Sequence, residues 1–202
     1  MARKKLGIMG GTFDPIHNGH LLIAEHVQRE LGLDRVLFIP AFVAPHKIGE
    51  EFARAEDRYH MTELAIAGHK NFFVSDMELK RQGISYTYDT LCALSEQYGS
   101  EYELYFIIGA DSVGELGAWH NIRGIMNLCT FVAATRPGFV PPPEAVQKLY
   151  NDKDEPAIIW VSNKDIAISS TDIRARVQQK LDIKDLVPSA VAEYILQKDL
   201  YR

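Results

Sequence analysis

Two histidines stand three residues apart at the end of the run Gly10-Gly11-Thr12-Phe13-Asp14-Pro15-Ile16-His17-Asn18-Gly19-His20. An imidazole offers ring N–H donors and changes charge near neutral pH. Glycines let backbone amides approach an anion closely. The run follows an apolar, strand-like segment and opens an amphipathic helix, whose N-terminus adds partial positive charge and unpaired N–H donors. These residue types in this order make a site for a polyphosphate. Zinc would need further nitrogen or sulfur ligands, and neither Cys92 nor Cys129 lies near in sequence. A pair of satisfied core histidines is the plainer alternative. Two imidazoles at one helix mouth behind Gly-Gly argue against it.

Ile168-Ser169-Ser170-Thr171-Asp172-Ile173-Arg174 is a second anion-site candidate. Ser169 or Ser170 can cap a helix beginning near Thr171, and the cap alone would account for the serines. Arg174 falls one turn into that helix, where a positive charge opposes the dipole. Its placement makes sense if an anion sits between the two. Gly109-Ala110-Asp111-Ser112 forms a third glycine- or hydroxyl-rich loop, and His46-Lys47 adds a basic loop pair. Trp119 is either plain core or a flat face for an aromatic ring of a substrate. The chain lacks Gly-x-x-x-x-Gly-Lys-Ser/Thr, lacks Gly-x-Gly-x-x-Gly after its first strand, and lacks the Gly-x-Ser-x-Gly elbow. P-loop, dinucleotide-dependent redox and elbow-serine chemistries are thereby disfavoured.

Alternating elements must position these loops. Strands are expected over 5–9, 35–40, 72–74, 102–108, 130–134 and 157–161. Helices are expected over 19–31, 55–67, 87–98, 171–180 and 188–197, with Tyr59, Met61, Leu64 and Ala65 as the inward positions of the second. Residues 40–51 read as a loop, 76–82 as irregular or briefly extended, and 136–155 as a surface excursion rich in proline and charge. Strands alternating with helices point to an α/β fold with a doubly wound, mainly parallel sheet. Ligands of such sheets lie outside the carboxyl ends of the strands, where the strand order reverses. If the first and fourth strands are neighbours there, the loops that follow them face one crevice.

A chain of 202 residues, 47% hydrophobic and 24% charged, suits one globular domain spanning 1–202. A net charge of −5 with dispersed Lys and Arg argues against a nucleic-acid binder. No apolar run approaches the ~20 residues of a membrane span, and the start is too short in apolar residues for a signal peptide. A cytoplasmic protein with two buried thiols is expected. A homo-oligomer is compatible with the sequence.

With these residues assembled, the chain resembles the nucleotidyltransferase superfamily marked by a His-x-Gly-His loop, and within it the bacterial nicotinate-nucleotide adenylyltransferases. The likeness rests on Gly10 to His20, Pro45-His46-Lys47, Arg58, Met61, Ser85-Tyr86-Thr87 and Asp89-Thr90. It continues through Gly109-Ala110-Asp111, Trp119, Arg136-Pro137-Gly138, Ile168 to Arg174 and the stretch from Val187 to Tyr201. Ala44 stands where many relatives have a second proline, and His120 where a tyrosine is frequent.

The resemblance implies a Rossmann-like nucleotidyltransferase fold flanked by helices. It also implies adenylyl transfer from ATP to nicotinate mononucleotide, giving deamido-NAD and pyrophosphate in NAD biosynthesis. It implies His17, His20 and Arg174 as catalytic residues, with ATP held by these and by Gly10, Gly11, Thr12, Phe13, Gly109, Asp111, Ser170 and Thr171. Lys47, Ser85, Tyr86, Thr87, Trp119, His120 and Arg136 would meet the acceptor. Mg2+ would enter through the substrate phosphates without a protein ligand. A sister enzyme acting on nicotinamide mononucleotide or phosphopantetheine, a cytidylyltransferase, and a non-catalytic nucleotide-binding regulator are the alternatives.

Overall fold

The computed structural model describes residues 3–135, 158–162 and 168–202. In chain order the elements are β1 (Lys4–Gly11), α1 (Asn18–Leu31), β2 (Arg35–Pro40), a 3-10 turn (Pro45–Lys47), α2 (Ala55–Ile66) and β3 (Phe72–Val74). Then come α3 (Met77–Arg81), α4 (Thr87–Tyr98), β4 (Tyr102–Gly109), a succession of 3-10 turns (Ala110–Ala118), α5 (Ile122–Leu128) and β5 (Thr130–Thr135). Last are β6 (Ile158–Ser162), α6 (Ser170–Gln178) and α7 (Ser189–Gln197).

The strands form a sheet in the order β3-β2-β1-β4-β5-β6. β1 pairs parallel with β4, β4 with β5 and β5 with β6, with Ile8 opposite Phe106 and Phe106 opposite Phe131. Parallel strands buried on both faces need near-continuous apolar runs, and Leu6, Ile8, Met9, Phe106, Ile107, Phe131 and Val132 supply them. The strand order reverses between β1 and β4, as expected for a doubly wound sheet.

The chain divides into two compact units, each gathered from three segments. The first holds 1–10, 24–36 and 86–165; the second holds 11–23, 37–85 and 166–202. In the first, Phe106, Phe131 and Trp119 meet edge to face at 5.9–6.0 Å. A Cβ added at Gly10 would lie 3.3 Å from the Phe106 ring, so glycine is what lets β1 end against that cluster. In the second, Phe38 packs on Phe13 and Phe72, and Tyr194 of α7 donates its hydroxyl to Asp57 of α2 at 2.7 Å.

Four expectations are corrected. Residues 76–82 contain α3, a helix that buries Glu78 instead of an apolar stripe. Residues 110–128 hold the 3-10 turns and α5, where no element is expected. α2 buries Ala55, Arg58, Met61, Thr62, Ala65 and Ile66, whereas Tyr59 and Leu64 are only half-buried. Cys92 and Cys129, expected as buried thiols, are free but only half-buried. Among the described residues no helix is long and apolar enough to cross a membrane. Arg136 with the rest of the 136–155 excursion, and Ala157 of the expected sixth strand, lie outside the described residues.

Candidate active site

α1 begins with a cap made by its own second histidine. The His17 N–H donates to Nδ1 of His20 at 3.2 Å, and the His17 carbonyl accepts from the His20 N–H at 2.9 Å. His17 is therefore the residue flanking the helix, and His20 is its third. In a capping box those positions belong to Ser or Thr and to Glu or Gln. Here an imidazole replaces the carboxylate, and the first turn of α1 holds no acidic residue. The helix is closed without a negative charge beside the N–H groups that would face an anion. The same bond fixes the tautomer: with Nδ1 accepting, the neutral His20 ring carries its proton on Nε2.

The two rings stack with centroids 3.7 Å apart, and Phe13 meets His20 edge-on at 5.1 Å. His17 is only 6% exposed, and its Nδ1 has no hydrogen-bond partner among the described residues. Burial pushes the His17 imidazole down from 6.5 to about 4. Burial, and then the neighbouring His17, pushes His20 well below its ordinary value. Both rings are neutral at pH 7, so they act as donors of hydrogen bonds. An anion placed against them would raise both values.

Beneath the loop lies an arginine to which sequence reasoning gives no task. Arg58 is 2% exposed. Its Nε donates to the Ala53 carbonyl at 3.0 Å, Nη1 to Thr12 at 2.6 Å and Ala41 at 2.7 Å, and Nη2 to Phe42 at 3.0 Å. Four of the five guanidinium donors are thus spent on main-chain oxygens. Burial lowers the Arg58 pKa, and the Asp14 charge opposes that shift. The readable signal is register: 55, 58, 61, 62 and 65 follow helical spacing, with a charge inside the buried stripe.

The start of α6 is tied to the same loop. Ser169 caps α6 by accepting from the Asp172 N–H at 3.1 Å. Ser170 donates its hydroxyl to the Pro15 carbonyl at 2.9 Å. Arg174 donates through Nη1 to the Asp14 carbonyl at 2.8 Å and through Nη2 to Thr171 Oγ1 at 3.4 Å. Phe13 holds a left-handed backbone (φ 49°), an uncommon state for a bulky residue. Its ring is buried, packed on His20 and Phe38. A Cβ at Gly11 would lie 3.1 Å from that ring. The arrangement is a concentration of donors: two helix N-termini, neutral imidazole N–H and one guanidinium. It suits phosphate oxygens.

Residues 8–176 match the model of the cytidylyltransferase-like family. This chain belongs to that family. Among its relatives, a protein of Desulfitobacterium hafniense strain Y51 is 44% identical over 201 residues, spanning 98% of this chain and 96% of its own length. One of Moorella thermoacetica is 45% identical over 204 residues, spanning 98% and 92%. Both carry the name probable nicotinate-nucleotide adenylyltransferase. The solved nicotinic acid mononucleotide adenylyltransferase of Plasmodium falciparum, complexed with NaAD, superposes with a TM-score of 0.80 at 20% identity. That superposition spans 98% of this chain and 97% of the other, and it shows the shared fold.

In this cytidylyltransferase-like chain the second unit gathers Gly11, Thr12, Phe13, His17, His20, Ser170, Thr171 and Arg174 around one loop. Lys47 sits in the 3-10 turn with its Nζ 5.4 Å from the Phe52 ring centre. Ser85 is buried, accepts from the Phe42 N–H at 2.9 Å and donates its own N–H to Val43, so it shapes the loop after β2. The first unit holds Gly10 and Gly109 at the carboxyl ends of the neighbouring strands β1 and β4. Asp111 is exposed in the 3-10 turns. Tyr86 flanks α4, which opens at Thr87, and its ring lies 4.7 Å from His120. Trp119 is half-buried, edge-on to Phe106 and Phe131.

Proposed function

We propose that this chain transfers the adenylyl group of ATP to nicotinate mononucleotide, releasing pyrophosphate and forming deamido-NAD. The observation that carries the reading is the capped, uncharged His17–His20 pair, joined through its loop to the start of α6 and to Arg174. Relatives about 44% identical over nearly the whole chain bear the corresponding name.

The reaction asks for placement more than covalent work. The mononucleotide 5′-phosphate, with a second pKa near ~6, is already a dianionic nucleophile at neutral pH. One of its oxygens forms a bond to the ATP α-phosphorus as the bond from that phosphorus to the β-phosphate oxygen breaks. Pyrophosphate leaves with the electron pair, and no general base is needed. Nε2–H of His20 donates to a phosphate oxygen, and the open N–H groups of α1 and α6 add partial positive charge. Arg174 supplies the full charge.

ATP is further assigned to Gly10, Gly11, Thr12, Phe13, Gly109, Asp111 and Thr171, and to Ser170 through its main-chain N–H, because its hydroxyl is spent on Pro15. Lys47, Tyr86, Thr87, Trp119, His120 and Arg136 are assigned to the acceptor, with Ser85 shaping their surroundings. Mg2+ accompanies the phosphates. The loop offers donors to phosphate, and among the described residues no three His, Cys, Asp or Glu side chains converge as ligands. When bound, the ion neutralises the leaving pyrophosphate.

The test is pyrophosphate release from ATP or CTP with nicotinate mononucleotide, nicotinamide mononucleotide and phosphopantetheine as acceptors. ATP with nicotinate mononucleotide should give the highest kcat/KM. Turnover with another pair, and none with this one, would overturn the proposal.

A further inference from the structure

Tyr201 follows α7 in a left-handed backbone conformation (φ 64°), which is unfavourable for an aromatic residue. Its hydroxyl donates to Asp14 Oδ1 at 2.7 Å. The Ala53 N–H donates to the same oxygen at 3.2 Å. Asp14 is 2% exposed, and its other oxygen, Oδ2, is buried without a hydrogen bond among the described residues. That oxygen stops 3.9 Å from Nη1 of Arg174, which donates to the Asp14 main-chain carbonyl instead.

The geometry is unusual for an arginine beside a carboxylate. The strong arrangement is bidentate, with two short N–H···O bonds. Here the carboxylate is turned away, because two donors grip Oδ1 from the side of α2 and of the segment beyond α7. We propose that Tyr201 is a positioning residue: by holding Asp14 through Oδ1, it keeps that carboxylate from closing on Arg174 and leaves the guanidinium for the phosphates of ATP. Asp14 is an internal anion that would compete with the external one. Arg58 lies in the same buried cluster, but its donors are committed to carbonyls, so Arg174 is the cation exposed to this competition. The inference rests on the reading of Arg174 as a phosphate ligand.

The variant Tyr201→Phe keeps the ring and removes only the hydroxyl. Freed of one donor, Asp14 rotates Oδ2 onto Arg174. Calorimetric titration of ATP should show Kd rising about tenfold, with KM for ATP rising alike. KM for nicotinate mononucleotide should stay within about twofold, and the thermal midpoint should not fall, since the new ion pair offsets the lost hydrogen bond. In an Asp14→Asn background the neutral amide cannot compete, and adding Tyr201→Phe should change ATP affinity by less than about twofold. ATP affinity unchanged in Tyr201→Phe, an equal loss in the Asp14→Asn background, or a loss that follows a lowered thermal midpoint would each overturn the inference. If the wild-type protein does not bind ATP, it is the underlying reading of Arg174 that fails. The titration needs no acceptor, so it stands apart from the choice of mononucleotide.

Discussion

Acid should destabilise this protein through His17. The folded state holds that imidazole at about 4, against 6.5 for an exposed ring. Between these values the unfolded chain binds a proton that the folded chain refuses. The stability contributed by the neutral ring is therefore complete above pH 6.5 and is lost as the pH falls toward 4. At ~1.4 kcal/mol per unit, the whole window amounts to roughly 3 kcal/mol, with about 1.4 kcal/mol gone by pH 5.5. His20 is shifted the same way and adds to the loss. Urea unfolding of the wild type and of His17→Asn at pH 7.5, 6.5, 5.5 and 4.5 isolates the effect, because carboxylates common to both cancel in the difference. On going from pH 7.5 to 5.5, the wild type should lose about 1.4 kcal/mol more than the variant. A difference between the two that stays constant within about 0.5 kcal/mol across that range would refute the reasoning.

Two further outcomes are expected. His20→Ala removes a donor aimed at developing charge and should lower kcat roughly 100-fold. It also removes the α1 cap, which should cost ~1 kcal/mol, or about 3 °C in the melting midpoint; near-normal turnover would end the assignment of a catalytic role. Arg58→Met keeps the volume and strands the carbonyls of Thr12, Ala41, Phe42 and Ala53 in the interior. A loss of about 4 kcal/mol, seen as a drop of roughly 10 °C, should follow, and a midpoint within about 3 °C of wild type would show that the loop does not depend on it.

The sheet was legible because its strands are buried on both faces and so appear as unbroken apolar runs, as in Val36 to Ile39. The two helices that follow the candidate anion-binding loops were legible for a different reason: Gly-Gly before His17, and Ser169-Ser170 before Arg174, mark helix starts chemically. What escaped has its own periods. Ala110, Val113 and Leu116 are buried at a spacing of three, which is the repeat of a 3-10 helix and not of an α-helix. α3 is five residues long and buries a glutamate, so it offers no apolar stripe to read. α5 has its cap, Asn121 accepting from the Gly124 N–H at 3.2 Å, but a short helix among glycines gives periodicity little room. The links from Asp14 to Tyr201 and from Arg58 to Thr12 span 187 and 46 residues. No local pattern encodes such pairs; they exist only once the chain has folded.

The manner in which Arg58 is bonded bears on how such a scaffold can diversify. Every oxygen it grips belongs to the main chain, and a carbonyl is the same whatever residue carries it. These four bonds are therefore indifferent to side-chain identity at 12, 41–42 and 53, while all of them depend on one guanidinium. A lysine, with three donors and no planar fork, could not substitute. Side chains at these positions can change without breaking the bonds that hold their carbonyls. For these four bonds the requirement falls on a single buried side chain.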